Sequence, residues 1–163
     1  MKISVHRAIS TWKALPVITI ICALTPLTTH ACGKGQQQVF TCKTKNNKVV
    51  EICNAGKDAT YSFGRAGVKP ELFLRQPKSA LEGEYTGGSG SETQWVSFRN
   101  NKTSYHIFFD KWFWKGEPGD ANYQEGGASA SISVEQNGRD LATIECRPDS
   151  IEGDLIPLGL KQI

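Results

Sequence analysis

Few residues in this chain have the type and spacing that chemistry needs. There are three histidines. His6 and His30 lie in an N-terminal segment that reads as a removable leader, which leaves His106 alone among aromatic neighbours. One histidine cannot build a histidine-rich metal centre, and no Gly-x-Ser-x-Gly elbow is present to supply a nucleophilic serine. No acidic pair is singled out for glycoside hydrolysis. The sequence therefore predicts no catalytic residue, no cofactor and no metal.

Two other sets of residues stand out. The first is the cysteines. Cys22 belongs to the leader, and Cys32, Cys42, Cys53 and Cys146 remain. They form no Cys-x-x-Cys pair, so disulfides are favoured over zinc. Four cysteines allow three connectivities, and Cys42–Cys146 with Cys32–Cys53 is preferred. A bridge across a loop of about a hundred residues is worth roughly 4–5 kcal/mol in the chain-entropy model. The second set is aromatic: Trp95, Phe108, Trp112, Phe113 and Trp114, flanked by Lys111 and Lys115. Rings on a non-core face could dock a protein or stack on sugars. They could equally close one end of a β-domain.

These residues must be positioned by strands. Val39–Cys53 reads as a hairpin turning at Asn46-Asn47, with Phe40, Cys42, Val49 and Cys53 on one face. Ala59–Phe63 and Glu71–Arg75 are further strands, the latter ended by Pro77. Lys78–Thr93 is rich in glycine and serine and reads as a long loop, the 83–93 part of it a candidate binding loop. Gln94–Asn100 and Thr103–Phe109 make a second hairpin. Its core face is Val96, Phe98, Tyr105, Ile107 and Phe109, and Trp95, His106 and Phe108 point the other way. The 111–116 stretch and Gly116–Gly127 read as loop. Ala128–Glu135 and Asp140–Arg147 pair across Asn137-Gly138. A bulge with Gly138 in the left-handed region is needed to bring Ala130, Ile132 and Val134 onto the face of Ala142, Ile144 and Cys146. The tail after Pro148 reads as irregular. About eight strands and no amphipathic helix predict an all-β fold, a small antiparallel barrel or sandwich linked by disulfides.

Lys2, Arg7 and Lys13 precede the apolar run Ala14–Leu27, and Thr29-His30-Ala31 offers a cleavage site. Residues 1–31 thus read as a secretory signal peptide and 32–163 as one β-domain, periplasmic or secreted. The run is broken by Pro16 and Pro26 and is too short for a membrane span. Acylation of Cys32 would make a lipoprotein, the one route to a membrane, but Thr29-His30-Ala31 is a poor lipobox. Without the leader, 16 basic residues face 16 acidic ones. A neutral domain lacks the electrostatic footprint of nucleic-acid binding.

The pattern VFTCKTKNNKVVEIC…ATYSFGRAGVKPELFL…ISVEQNGRDLATIEC resembles a family of small secreted proteobacterial proteins of unassigned activity. That resemblance implies compartment and fold. The early Phe-x-Cys strand and late cysteine are also similar to the periplasmic and membrane-bound inhibitors of C-type lysozyme. Those inhibitors insert a serine from a Ser-Gly loop and a lysine from a Lys-Gly loop into the lysozyme cleft, against its catalytic carboxylates. Ser89-Gly90 and Lys115-Gly116 match the two motifs, with a longer separation than the family has. The resemblance implies Ser89 and Lys115 as binding residues and a lysozyme-type hydrolase of the cell envelope as partner. The function expected is a non-enzymatic exported binding protein, an inhibitor of a cell-wall hydrolase. The alternatives are a carbohydrate-binding or envelope-structural module using Trp95, Trp112 and Trp114, and an immunity protein to a secreted toxin.

Overall fold

A computed structural model describes residues 32–88, 90–117, 119–121 and 123–163, without the side chains of Trp114, Lys115 and Gln124. The segment 1–31, expected to be a leader, and Ser89 lie outside the described residues. Among the described residues eleven strands run in chain order: β1 (Gln37–Lys43), β2 (Lys48–Ala55), β3 (Asp58–Arg65), β4 (Leu72–Pro77), β5 (Glu82–Gly88), β6 (Ser91–Asn100), β7 (Thr103–Lys115), β8 (Gln124–Gln136), β9 (Arg139–Glu145), β10 (Glu152–Gly153) and β11 (Lys161–Gln162). They form a five-stranded sheet, β10-β1-β2-β3-β4, and a six-stranded sheet, β11-β5-β6-β7-β8-β9. The all-β, disulfide-linked class expected from the sequence is what the structure has, in its sandwich form.

The core lies between the sheets. Phe40, Val50, Ile52 and Tyr61 come from one, and Val96, Phe98, Ile107, Phe109 and Ile132 from the other. Rings meet across the interface. Phe40 packs edge-on to Phe109 at 5.4 Å between centroids, and Tyr61 stacks on Tyr105 at 5.7 Å. Burial, then the charge on Tyr105, pushes the Tyr61 phenol far above its ordinary pKa. That hydroxyl therefore stays protonated.

Cys32 is bonded to Cys53 and Cys42 to Cys146, with Cα atoms 5.7 and 5.8 Å apart. Cys42–Cys146 ties β1 to the end of β9, beside the Thr44–Cys146 bridge that joins the two sheets at their rim. Cys32–Cys53 holds the lead-in against β2. Both faces of β2 are thereby covered, and Val50, Glu51, Ile52 and Cys53 are all buried.

The first hairpin departs from expectation by one residue. Lys43 pairs with Val49, and the Thr44 N–H donates to the Lys48 carbonyl at 2.7 Å. The loop is thus Lys45-Asn46-Asn47, with Asn47 in the left-handed region at φ 59°. A three-residue loop ending in a left-handed residue needs that geometry, and asparagine tolerates it. The shift puts Val50 and Ile52, not Val49 and Cys53, on the face of Phe40 and Cys42. A bulge between Gln38 and Phe40 then lets Val39 and Phe40 both be buried.

The glycine-rich stretch 78–93 is not a loop. A single 3-10 turn, Lys78–Ala80, leads into β5, which pairs with β6 from Glu82↔Ser97 to Gly88↔Ser91. Gly83 stands where a larger residue would be crowded. A Cβ on Gly83 would sit 2.6 Å from the Trp95 carbonyl oxygen and 2.7 Å from Leu160 Cδ2. The 111–116 stretch is also strand: β7 runs to Lys115 and pairs with β8 as far as Lys115↔Gln124. Pro118 lies outside the described residues.

The last hairpin carries its register shift away from the turn. Asn137 and Gly138 form a two-residue turn with φ of 52° and 74°, and Gln136 pairs with Arg139. The shift lies between Val134 and Glu135, where Leu141 is the extra residue on β9. Ile132 then faces Ile144 and Val134 faces Ala142, so the two apolar sets share one face, although Ala142 itself is exposed. The tail is more regular than expected. β10 pairs with β1, β11 runs parallel to β5, and Leu155 and Leu158 between them are buried.

Candidate ligand-binding face

The six-stranded sheet has one face on the core and one facing outward. Side chains alternate along β6 and β7, so the partition is residue by residue. Val96 lies opposite Ile107 and Phe98 opposite Tyr105, inward. Trp95 lies opposite Phe108 and Ser97 opposite His106, outward, as the sequence predicts. Phe108 is 40% exposed, and Trp95 and Trp112 are half-buried.

Phe108, Asp110 and Trp112 follow one another at every second position of β7 and therefore share the outer face. Their partners on β8 are Ser131, Ser129 and Gly127. These small residues leave room beside the larger β7 side chains. The Trp112 indole lies on Gly127, where an added Cβ would come within 2.8 Å of the ring. The indole N–H is buried without a hydrogen-bond partner among the described residues. His106 sits farther along, its Nε2 3.8 Å from Glu135 Oε2. Ser97 and Ser133 lie opposite it on the two neighbouring strands.

A cavity of about 320 Å³ opens beside Asp110. Asp110, Ser129 and Ser131 line one side, and Lys45, Glu145, Cys146 and Pro148 the other. Lys45 and Glu145, both in the lining, form an ion pair. Asp110 Oδ1 accepts a hydrogen bond of 2.7 Å from the Thr93 hydroxyl. Cys146 apart, read from the sequence as a disulfide partner, none of these residues was expected to line a site. The signal that could have found them is the polar half of the period-two pattern already used for the core: Ser129, Ser131 and Ser133 alternate with Ala130, Ile132 and Val134.

The opposite end of β7 carries the residues that resemble the lysozyme-inhibitor motifs. The Phe113 N–H donates to the Gly90 carbonyl at 2.9 Å, and Ser91 pairs with Trp112. The Ser-Gly and Lys-Gly motifs are distant in sequence, yet Gly90 and the end of β7 are neighbours in the sheet. Phe113 is 62% exposed at this edge. Ser89 lies outside the described residues, as do the side chains of Trp114 and Lys115. Trp95, farther down the outer face, is not at this edge.

A third polar group closes the sandwich on the core side. Lys111 Nζ lies 3.0 Å from Glu92 Oε1 and 2.9 Å from Asp154 Oδ2. Gln94, fully buried, donates to both carboxylates through Nε2 and accepts from the Leu155 N–H at 2.6 Å. Burial raises the Asp154 carboxyl, but hydrogen bonds from Lys111 and the Ile156 N–H outweigh it and hold the group below the usual carboxylate range. Burial likewise lowers Lys111, and its bonds to Asp154 and Glu92 carry the net shift upward. This network fastens the tail to β6 and β7.

The group of Cys32, Cys53 and Glu51 has ligand atoms within 4.8 Å of one another. Both sulfurs are committed to the disulfide, so the group is not a metal centre in this state. Among the described residues no helix is long and apolar enough to cross a membrane. No family model, curated protein or solved structure matches the chain.

Proposed function

We propose that this protein is an exported, non-enzymatic binding protein that blocks a cell-wall hydrolase of the lysozyme type. The observation that carries this reading is the Phe113–Gly90 hydrogen bond. It supports a single docking edge built from the turn between β5 and β6 and the end of β7. Ser89-Gly90 and Lys115-Gly116 would then approach a partner together despite their separation in sequence. A lysine entering a cleft that holds paired carboxylates gains from their negative charge, and a serine hydroxyl can hydrogen-bond to the same groups. Phe113 supplies an exposed apolar anchor beside them.

Export fits the two disulfides, which persist in oxidising compartments. The leader-like segment 1–31 supports delivery to the periplasm or beyond. The test is direct. Purified 32–163 in molar excess should slow a C-type lysozyme acting on a cell-wall suspension. Lys115→Ala should weaken that inhibition at least tenfold while the protein stays folded. If no C-type lysozyme is slowed, the proposal is wrong.

A further inference from the structure

We propose a second, separate binding site on the outer face of the six-stranded sheet: the cavity beside Asp110, which takes a hydroxyl-rich sugar bearing no acidic group. Its volume, about 320 Å³, is at the lower end of the range of roughly 300–1,000 Å³ that small-ligand sites occupy. Its lining is mostly apolar surface with a few polar groups set into it. Asp110 offers a carboxylate acceptor, and Ser129 and Ser131 offer hydroxyls that can donate or accept. Adjacent hydroxyls on a sugar ring are matched by this combination.

The apolar lining is Ala130, Cys146 and Pro148, and Phe108, outside the lining but two residues before Asp110 on the same face of β7 and 40% exposed, adds a ring next to it. A sugar presents C–H groups on one face and hydroxyls at its rim. A ring beside a carboxylate and serines meets both. Small residues on β8 are what keep the space open. Ser131 lies opposite Phe108 and Ser129 opposite Asp110, and a longer side chain at either place would fill it.

Charge selects among sugars. The one cation of the lining, Lys45, is paired with Glu145. Asp110 is held by the Thr93 hydroxyl and has no cationic partner among the ion pairs of the described residues. The lining is therefore net negative, and an acidic sugar would meet an unpaired carboxylate. A neutral or amine-bearing sugar would not.

The experiment is calorimetric titration of the 32–163 domain with glucose, glucosamine and glucuronate. Saturable binding of glucose or glucosamine is expected, with glucuronate at least tenfold weaker. Asp110→Asn should weaken binding at least tenfold, and Ser131→Leu should abolish it by filling the cavity. Both positions face outward, and near-ultraviolet circular dichroism checks that each variant keeps the wild-type fold. Absence of saturable binding by all three sugars overturns the proposal. So does glucuronate binding as tightly as glucose, or wild-type affinity in both folded variants.

Discussion

The two faces of β6 and β7 are built from alternate residues of the same strands, yet they differ in almost every physical respect. Inward, Val96, Phe98 and Ile107 are fully buried, and their rings and methyls meet the opposite sheet. Outward, Trp95, Phe108 and Trp112 keep part of their surface in water beside serines and a carboxylate. Hydrophobicity alone does not separate the sets, since both contain large aromatics. What separates them is whether a second layer covers them. The five-stranded sheet covers one face, and no described element covers the other. A ring that is left uncovered contributes little to folding, so its effect should be sought in binding.

The largest test of this contrast is Phe98→Ala. Phe98 is enclosed by Tyr61, at 5.5 Å between ring centroids, and by the rest of the core. Truncation removes buried apolar surface and leaves a cavity that the paired strands cannot close. A loss of about 3–5 kcal/mol is expected in denaturant unfolding. A loss under about 1 kcal/mol would mean that the inward face is not the core.

Period two made both faces legible from sequence. Val96, Phe98, Tyr105, Ile107 and Phe109 alternate without interruption, and a two-residue turn at Asn101-Lys102 keeps them in register. The first hairpin shows where that legibility ends. A two-residue and a three-residue loop at Asn46-Asn47 differ by one backbone position, and one position moves Val49 and Val50 to opposite faces. Residue type cannot choose between them, because asparagine accepts the left-handed conformation in either loop. The 82–88 strand was hidden for another reason. Gly83, Gly87 and Gly88 carry no side chain to alternate, so the strand exists through pairing with β6, the strand that follows it, and with the remote, short β11. The Asp110 cavity was hidden because its walls come from β7, β8, the end of β9 and the β1–β2 loop, and no local pattern reports that assembly.

A smaller effect should come from the polar closure on the inward side. Asp154 titrates below the ordinary aspartate value, so its stabilising contribution is present above the unfolded pKa of about 3.9 and fades as pH falls through the folded value. Lys111 titrates above its ordinary value, so its contribution is present below about 10.4 and fades as pH rises through the folded value. Stability contributed by the pair should be flat between these limits and fall outside them. Asp154→Asn should lower stability at neutral pH and flatten the acid limb of a plot of stability against pH. An unchanged acid limb would remove Asp154 from the role given to it here.

The smallest expected effect on folding belongs to Phe108→Ala, and that smallness gives the test its value. Phe108 lies directly across from Trp95 in a cross-strand aromatic pair, an arrangement worth roughly 0.2–1 kcal/mol. Its ring is already partly solvated, so truncation opens no cavity in the core. The unfolding midpoint should therefore move by less than a quarter of the shift seen for Phe98→Ala. If glucose or glucosamine lies against this ring, the same substitution should weaken sugar binding at least tenfold. One hairpin would then carry two phenylalanine-to-alanine changes with opposite signatures, Phe98 of β6 in the core and Phe108 of β7 at the ligand. A large stability loss at Phe108 with unchanged binding would mean that the outer rings are packing after all.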